Sequence, residues 1–274
     1  MQLRLSAFLA ATTFLIAALT ACSPSSPAPA HPDELLSRCC GLDLKSLPHE
    51  DIEATLQTID QSTTNLGVEV RVHQTLGDAM TLYVVCTAAF PDGIPQEWAS
   101  HQLAVLTASD IALPCTRQNV YIEPLDKDTL AFVCSFGFDK ERLFPGTEVT
   151  LTLRGGTQND EPNVTTTHVF SWTTENQGKI RYVDIKDEHG RMTGTCSISA
   201  FAINATLWNG GSLYSGPEDY LSTIHLFDES GQSVDTVLSQ GGGAINGWKQ
   251  FSTPVNLATV SAVQVGPYLA EFSS

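Results

Sequence analysis

After residue 22 the chain has no apolar run of membrane-spanning length, so it offers no candidate spanning helix there: a hydrocarbon core of roughly 30 Å needs about 20 consecutive apolar residues. Basic residues are scarce as well. Fourteen Lys and Arg stand against 30 Asp and Glu, for a formal net charge of −16 at pH 7. Nucleic acid requires a basic footprint and an anionic lipid surface a polybasic segment, so neither is expected as an electrostatic partner. The acidic residues form no dominant run, which reads as a solvated surface.

Catalytic and metal-binding spacings are also missing. The seven histidines, at 31, 49, 73, 101, 168, 189 and 225, make no HExxH, and no CxxC occurs, so no metal and no cofactor are expected. His73 and His168 fall on predicted strands and read as surface residues, and His189 as a turn residue. Gly210-Gly-Ser-Leu-Tyr-Ser-Gly216 has the composition of a nucleophile elbow without its spacing. Gly242-Gly-Ala-Ile-Asn-Gly-Trp-Lys249 lacks the Gly-Lys-Ser/Thr ending of a phosphate loop. Asn159-Asp-Glu-Pro-Asn163 and Asp126-Lys-Asp128 bring oxygens into turns but not the ordered spacing of a calcium loop. No catalytic residue is assigned, and an enzyme is not expected.

What the sequence does have begins with an address. A single basic residue, Arg4, precedes an apolar run over residues 8–21 broken only by Thr12, Thr13 and Thr20. A helix of that length spans about 21 Å, too short for a membrane and right for the core of a signal peptide. The run ends in Leu19-Thr20-Ala21-Cys22, which resembles the bacterial lipobox. A thiol takes a diacylglycerol as a thioether, and small residues before it suit the peptidase that cuts there. Residues 1–21 are therefore expected to be a lipoprotein signal peptide, with Cys22 as the lipid-attachment residue. The Pro/Ser-rich stretch 22–32 reads as an extended tether. The expected location is the cell membrane, lipid-anchored on the extracytoplasmic face, since multiple acyl chains on one cysteine anchor firmly.

Residues 33–64 read as an N-terminal appendage with short helices: Pro48 precedes a segment whose acidic residues 50, 51 and 53 suit a helix N-terminus. From Leu66 the hydrophobic period becomes two. Val68, Val70 and Val72 alternate with polar residues, and Met80, Leu82, Val84, Cys86, Ala88 and Phe90 share one strand face. Further strands are expected over 102–107, 119–123, 129–138, 148–154 and 166–173, and then, after a short linker at 175–179, over 180–186, 192–208, 220–227, 233–238, 258–265 and 268–272. Frequent turns between short strands give an all-β class with two immunoglobulin-like β-sandwich domains in tandem, over 65–175 and 176–274.

Apart from Cys22, six cysteines remain, and an even number in an exported chain suggests disulfides. Cys86 and Cys134 each sit among the large apolar residues of a strand, so both point inward. They are the pair expected to bridge the two sheets of a sandwich; the alternative is two small core hydrophobes.

Laid out this way, the chain resembles a known family. The carrying segments are Leu66-Gly-Val-Glu-Val-Arg-Val72, Leu76-Gly-Asp-Ala-Met-Thr-Leu-Tyr-Val-Val85, Phe90-Pro-Asp-Gly93, Pro145-Gly-Thr-Glu-Val-Thr-Leu-Thr-Leu153, Ile198-Ser-Ala-Phe-Ala-Ile203, His225-Leu-Phe-Asp-Glu-Ser-Gly231 and Phe251-Ser-Thr-Pro254 with the strand after it. They are similar to the paired extracellular immunoglobulin-like domains, of unknown function, in Gram-positive anti-sigma-factor membrane proteins. The resemblance implies two sandwiches outside the membrane and a sensing or binding role, and it carries over no site residues. This chain lacks the family's cytoplasmic segment and spanning helix.

The expected function is thus a binding or sensing module, its ligand an envelope protein or a glycan. A structural or assembly partner of another envelope protein is the alternative, and a glycan-acting hydrolase a more remote one. The aromatic residues Trp208, Tyr214, Tyr220 and Trp248 lie in loop-rich stretches and are the candidate ligand-binding platform; the alternative is that they pack in the core.

Overall fold

A computed structural model of the chain describes residues 32–96, 98, 102–108, 111–113, 115, 117–138, 143–155, 166–209, 212–213, 224–234 and 247–272. The predicted signal peptide, Cys22 and most of the tether lie outside these residues. No helix among the described residues is long and apolar enough to cross a membrane.

The described residues open with helix α1 (Pro32–Cys40), a 3-10 turn at Leu44–Ser46 and helix α2 (His49–Thr55). The first sandwich follows: β1 (Leu56–Asn65), β2 (Val68–Gly77), β3 (Thr81–Ala89), β4 (Gln102–Ala108), β5 (Ile111–Ala112), β6 (Arg117–Pro124), β7 (Thr129–Gly137), β8 (Glu148–Gly155) and β9 (Thr166–Thr173). One antiparallel sheet has the order β1-β2-β3-β7-β6 and the other β5-β4-β8-β9. Their inner faces meet in a core of Val70, Val84, Phe132, Phe136, Leu151 and Phe170.

The second sandwich comprises β10 (Ile180–Lys186), β11 (Met192–Ser199), β12 (Ala202–Asn209), β13 (Ser212–Leu213), β14 (Ile224–Phe227), β15 (Ser233–Val234), β16 (Trp248–Gln250), β17 (Ala262–Val265) and β18 (Tyr268–Glu271). Its sheets run β10-β11-β12-β13, with β16 also on β12, and β15-β14-β17-β18. Ile198, Ile203, Leu226, Phe251 and Val263 fill the space between them. Two β-sandwiches in tandem behind a short helical segment is the architecture expected from the sequence.

Three differences from expectation have physical causes. The helical appendage stops at Thr55: residues 56–65 form the edge strand β1, paired with β2 through a two-residue turn in which Leu66 (φ 50) and Gly67 (φ 82) are both left-handed. The polar composition of β1 hid it, because an edge strand with one open face needs few apolar side chains. The long stretch 192–208 is two strands: Ser199 Oγ accepts the amides of Phe201 and Ala202, folding the chain back on itself. His168 is buried at 1% exposure on the inner face of β9, with Nδ1 2.9 Å from Thr63 Oγ1 and its ring edge-on to Trp98. Burial lowers its pKa.

Strands β3 and β7 are buried on both faces. One face meets the opposite sheet. The other is covered by α1, through Leu35 and Leu36, and by the second sandwich. Met80, Ala202 and Trp248 form a small interdomain core with Ile180 beside it, and Tyr83 meets Phe201 edge-on at 5.9 Å between centroids. The Gln250 amide donates to the Tyr83 hydroxyl, which otherwise would be stranded in that core.

The segment 175–179, read from sequence as a short linker, is bonded to the end of α2 and the start of β1. Gln177 N donates to Ala54 O at 2.7 Å, Glu175 N to Gln57 Oε1 at 3.0 Å, and Asn176 Nδ2 to Thr55 O. Ser46 Oγ donates to Pro254 O at 2.7 Å, so the helical segment bonds to both sandwiches. Beneath them lies Asp78, 1% exposed, whose Oδ1 accepts the amides of Met80 (2.7 Å) and Thr81 (3.0 Å). Burial raises its pKa to about 6, partly offset by the Ser199 hydroxyl and those two amides. Its other oxygen, Oδ2, makes no hydrogen bond of ordinary geometry among the described residues, so the Ser199 hydroxyl compensates its burial only weakly.

Candidate functional site

The residues nominated from sequence do not assemble into one site. Cys22, Tyr214 and Tyr220 lie outside the described residues, as does the stretch 159–163 considered for calcium. Trp208 is half-buried on β12, opposite Leu213 of β13. Trp248 is 5% exposed and belongs to the interdomain core, which corrects the expectation that it forms part of an exposed platform. Its indole is too large and apolar to leave in solvent when a groove beside Gly137 and Met80 can take it.

The expected cross-sheet disulfide is corrected as well. Cys86 and Cys134 lie on neighbouring strands of the same sheet, where Cys86 stands opposite Phe132 and Cys134 opposite Val84. That makes them diagonal neighbours, a relation that places Cα atoms roughly 7–8 Å apart. Disulfides span at most about 6.8 Å. Both thiols are free and fully buried, and burial together with the neighbouring Cys134 thiol raises the pKa of Cys86. Cys39, Cys40, Cys115 and Cys196 are free too. Burial pushes Cys39 and Cys115 up to about 11, and Cys40 and Cys196 up to about 12, so none is a reactive thiolate at neutral pH.

The surface that does offer a binding geometry was not nominated from sequence. Strands β10 and β18 are the terminal strands of the two sheets of the second sandwich, and they lie against each other along one side of it. Among the described residues, each is paired on one side only. Between them runs a furrow of about 540 Å³ lined by Tyr182, Val183, Asp184, Lys186, Leu269 and Glu271. A second hollow of about 680 Å³ adjoins it across Leu269 and Glu271 and brings in Phe227, Asp228, Glu229 and Gln264. Two large apolar side chains stand open here: Tyr182 at 60% and Leu269 at 59% exposure.

Alternation explains the arrangement. On β10, Val183 and Ile185 turn toward the core, so Tyr182, Asp184 and Lys186 face out. On β18, Ala270 turns in and Leu269 and Glu271 turn out. The turn Asp228-Glu-Ser-Gly231 closes the far end. Asp228 Oδ1 accepts from the Ser230 amide (2.8 Å), the Ser230 hydroxyl (2.7 Å) and the Gln232 amide (2.9 Å). These bonds, the Ser230 hydroxyl first, hold the Asp228 carboxyl below the usual carboxylate range.

The field over this surface is negative. Asp184, Asp228, Glu229 and Glu271 border it, against Lys186. Nearby cations are committed elsewhere. Arg181 Nη1 donates to Leu257 O at 2.9 Å and to Val260 O, and its guanidinium lies 4.6 Å from the centroid of the Phe272 ring. Lys179 Nζ is held by Asp51 Oδ1 at 2.8 Å. Among the described residues the furrow therefore combines strand edges without a paired neighbour, two apolar footholds and carboxylates without an ion pair, which suits recognition of a peptide segment. Tyr182 and Leu269 are far apart in sequence, and each stands among other apolar residues of a short strand. Only the parity they share with Asp184 and Glu271, two residues on, hinted that they face out.

No protein-family model matches this sequence, and no curated protein matches it either. Among solved structures, the chain is similar to the crystal structure of a conserved domain protein from Bacillus anthracis, with 10% sequence identity and a TM-score of 0.46 over 80% of this chain and 78% of that one.

Proposed function

We propose that the protein is a lipid-anchored, extracytoplasmic lipoprotein whose two-sandwich body is a binding or sensing module. Leu19-Thr20-Ala21-Cys22 at the end of a short apolar run supports the address. The observation that carries the binding role is the furrow between β10 and β18, where Tyr182 and Leu269 stand exposed beside Asp184 and Glu271. A monomeric soluble surface has little reason to gather apolar side chains and bare strand edges in one concavity. The same open edges also favour a second reading, a structural or assembly partner of another envelope protein.

Two measurements test this. In a bacterial host, metabolic labelling with a clickable fatty acid should mark the wild-type chain in the membrane fraction, and Cys22→Ala should lose both label and membrane association. Unchanged labelling of Cys22→Ala would remove the lipoprotein reading. The protein, immobilised and exposed to envelope extract from its own cell, split into glycan and protein fractions, should retain a component through the furrow. Recovery of one protein in stable stoichiometry supports the assembly reading, and recovery of neither fraction overturns the binding role.

A further inference from the structure

We infer that the furrow takes an extended, cationic segment of a partner protein, added as a strand along the open edge of β10; this rests on the binding reading above and names its ligand class. Strand addition needs an unpaired edge of adequate length, and among the described residues β10 is paired on one side only over its seven residues, with a register shift only at its Lys186 end. It also needs footholds for alternate side chains. Tyr182 and Leu269 provide two apolar surfaces on either side of the furrow, both more than half exposed. Natural edge strands are usually defended by charged side chains. Here Asp184 and Lys186 mark the β10 edge, but an aromatic side chain stands beside them and Leu269 faces them across the furrow.

The sign of the occupant follows from charge. Asp184, Glu229 and Glu271 make no ion pair among the described residues, Asp228 is held anionic, and the cations Arg181 and Lys179 are tied to other groups. A strand laid here meets several carboxylates and Lys186, so Lys or Arg on its outward positions gains where Asp or Glu would be repelled. A second copy of this chain would bring its own net charge of −16 to the same edge, and an anionic glycan would meet the same repulsion. The charge that disfavours both is what a basic segment needs.

The test uses the full chain and a capped, fluorescent peptide of about seven residues, the usual strand length, alternating Lys and Val, with the Glu/Val counterpart as control. Anisotropy titrations should show the Lys/Val peptide binding at least tenfold tighter than Glu/Val, with the difference shrinking as salt is raised. Tyr182→Ser and Leu269→Ser should each weaken binding by about threefold or more, and Leu269→Met should restore it. Asp184→Asn with Glu271→Gln should flatten the salt dependence. Val169→Thr, at an exposed apolar residue of β9 away from the furrow, should change nothing. Equal binding of both peptides, or indifference to the Tyr182 and Leu269 substitutions, overturns the proposal. So does concentration-dependent dimerisation abolished by Leu269→Glu, which would make the occupant a second copy. If these fail while the envelope pull-down still returns a partner, the binding role stands and this site falls.

Discussion

The indole of Trp248 lies so close over Gly137 that a methyl group on that glycine would stand 2.3 Å from Cη2 of the ring. Gly137 ends a central strand of the first sandwich, and Trp248 begins a short strand of the second. The contact is one reason the two sandwiches meet as closely as they do.

Gly137→Ala should therefore overpack the interdomain core. Overpacking typically costs about 1–3 kcal/mol, because a rigid ring has no rotamer to retreat into. Thermal denaturation should show a midpoint lower by roughly 2–4 °C for each kcal/mol in a body of this size. Gly137→Ala combined with Trp248→Leu should be less destabilised than the sum of the two single changes, since the clash is then removed. Strict additivity would mean that the two residues do not press on each other.

At the β1–β2 turn, Leu66 occupies the left-handed region at φ 50 while 63% exposed. An L residue with a branched side chain there costs about 1–2 kcal/mol, and the turn shape favours Asn followed by Gly. Gly67 already follows. Leu66→Asn should raise stability by about 0.5–1 kcal/mol, read as a higher urea midpoint with an unchanged slope.

Asp78 makes stability depend on pH in the direction opposite to most carboxylates. Its folded pKa, about 6, lies above the ordinary 3.8, because burial penalises the charged form. The folded state thus holds its proton more tightly than the unfolded chain. Its contribution is most favourable below pH 3.8 and is lost as pH rises through about 6. Asp78→Asn keeps an oxygen for the amides of Met80 and Thr81 and removes the ionisation. The variant should gain on the wild type as pH rises from 4 to 6.5, by up to about 3 kcal/mol, with a constant gap above that. A gap that does not change over that window would show that Asp78 titrates alike in the folded and unfolded chain, and a gap still widening above neutrality would show that the folded protein keeps it protonated there.

Much of this fold was legible in advance because strands announce themselves by period. Leu82, Val84 and Cys86 alternate with Thr81, Tyr83 and Val85, and the first set does face the core of its sandwich, whereas Met80, read as sharing that face, packs in the interdomain core with Ala202 and Trp248. The second set is buried too, under α1 and the second sandwich. Alternation cannot reveal that cover, although the near-continuous apolar run on β3 is what a doubly covered strand requires. Strand β16 escaped notice because three residues beside a glycine-rich loop carry no period. The aromatic platform failed at Trp248 for a related reason: composition shows that a ring is there, and only tertiary contacts show whether solvent reaches it. The furrow was invisible because it is made by two strands from different sheets, and nothing local links Tyr182 to Leu269.

The bonds that hold residues 175–179 have a consequence for how this chain can be altered. Tandem sandwiches are often treated as beads that tolerate spacers between them. Here the junction is itself a bonded element, with Gln177, Asn176 and Glu175 each committed to the segment around α2 and β1. An inserted residue would slide all of them out of register at once. Gly178 leaves no slack either, since a Cβ there would lie 2.5 Å from that of Asp78. The pair therefore behaves as a single inheritable piece, one that could be duplicated or re-anchored whole but not reshuffled half by half.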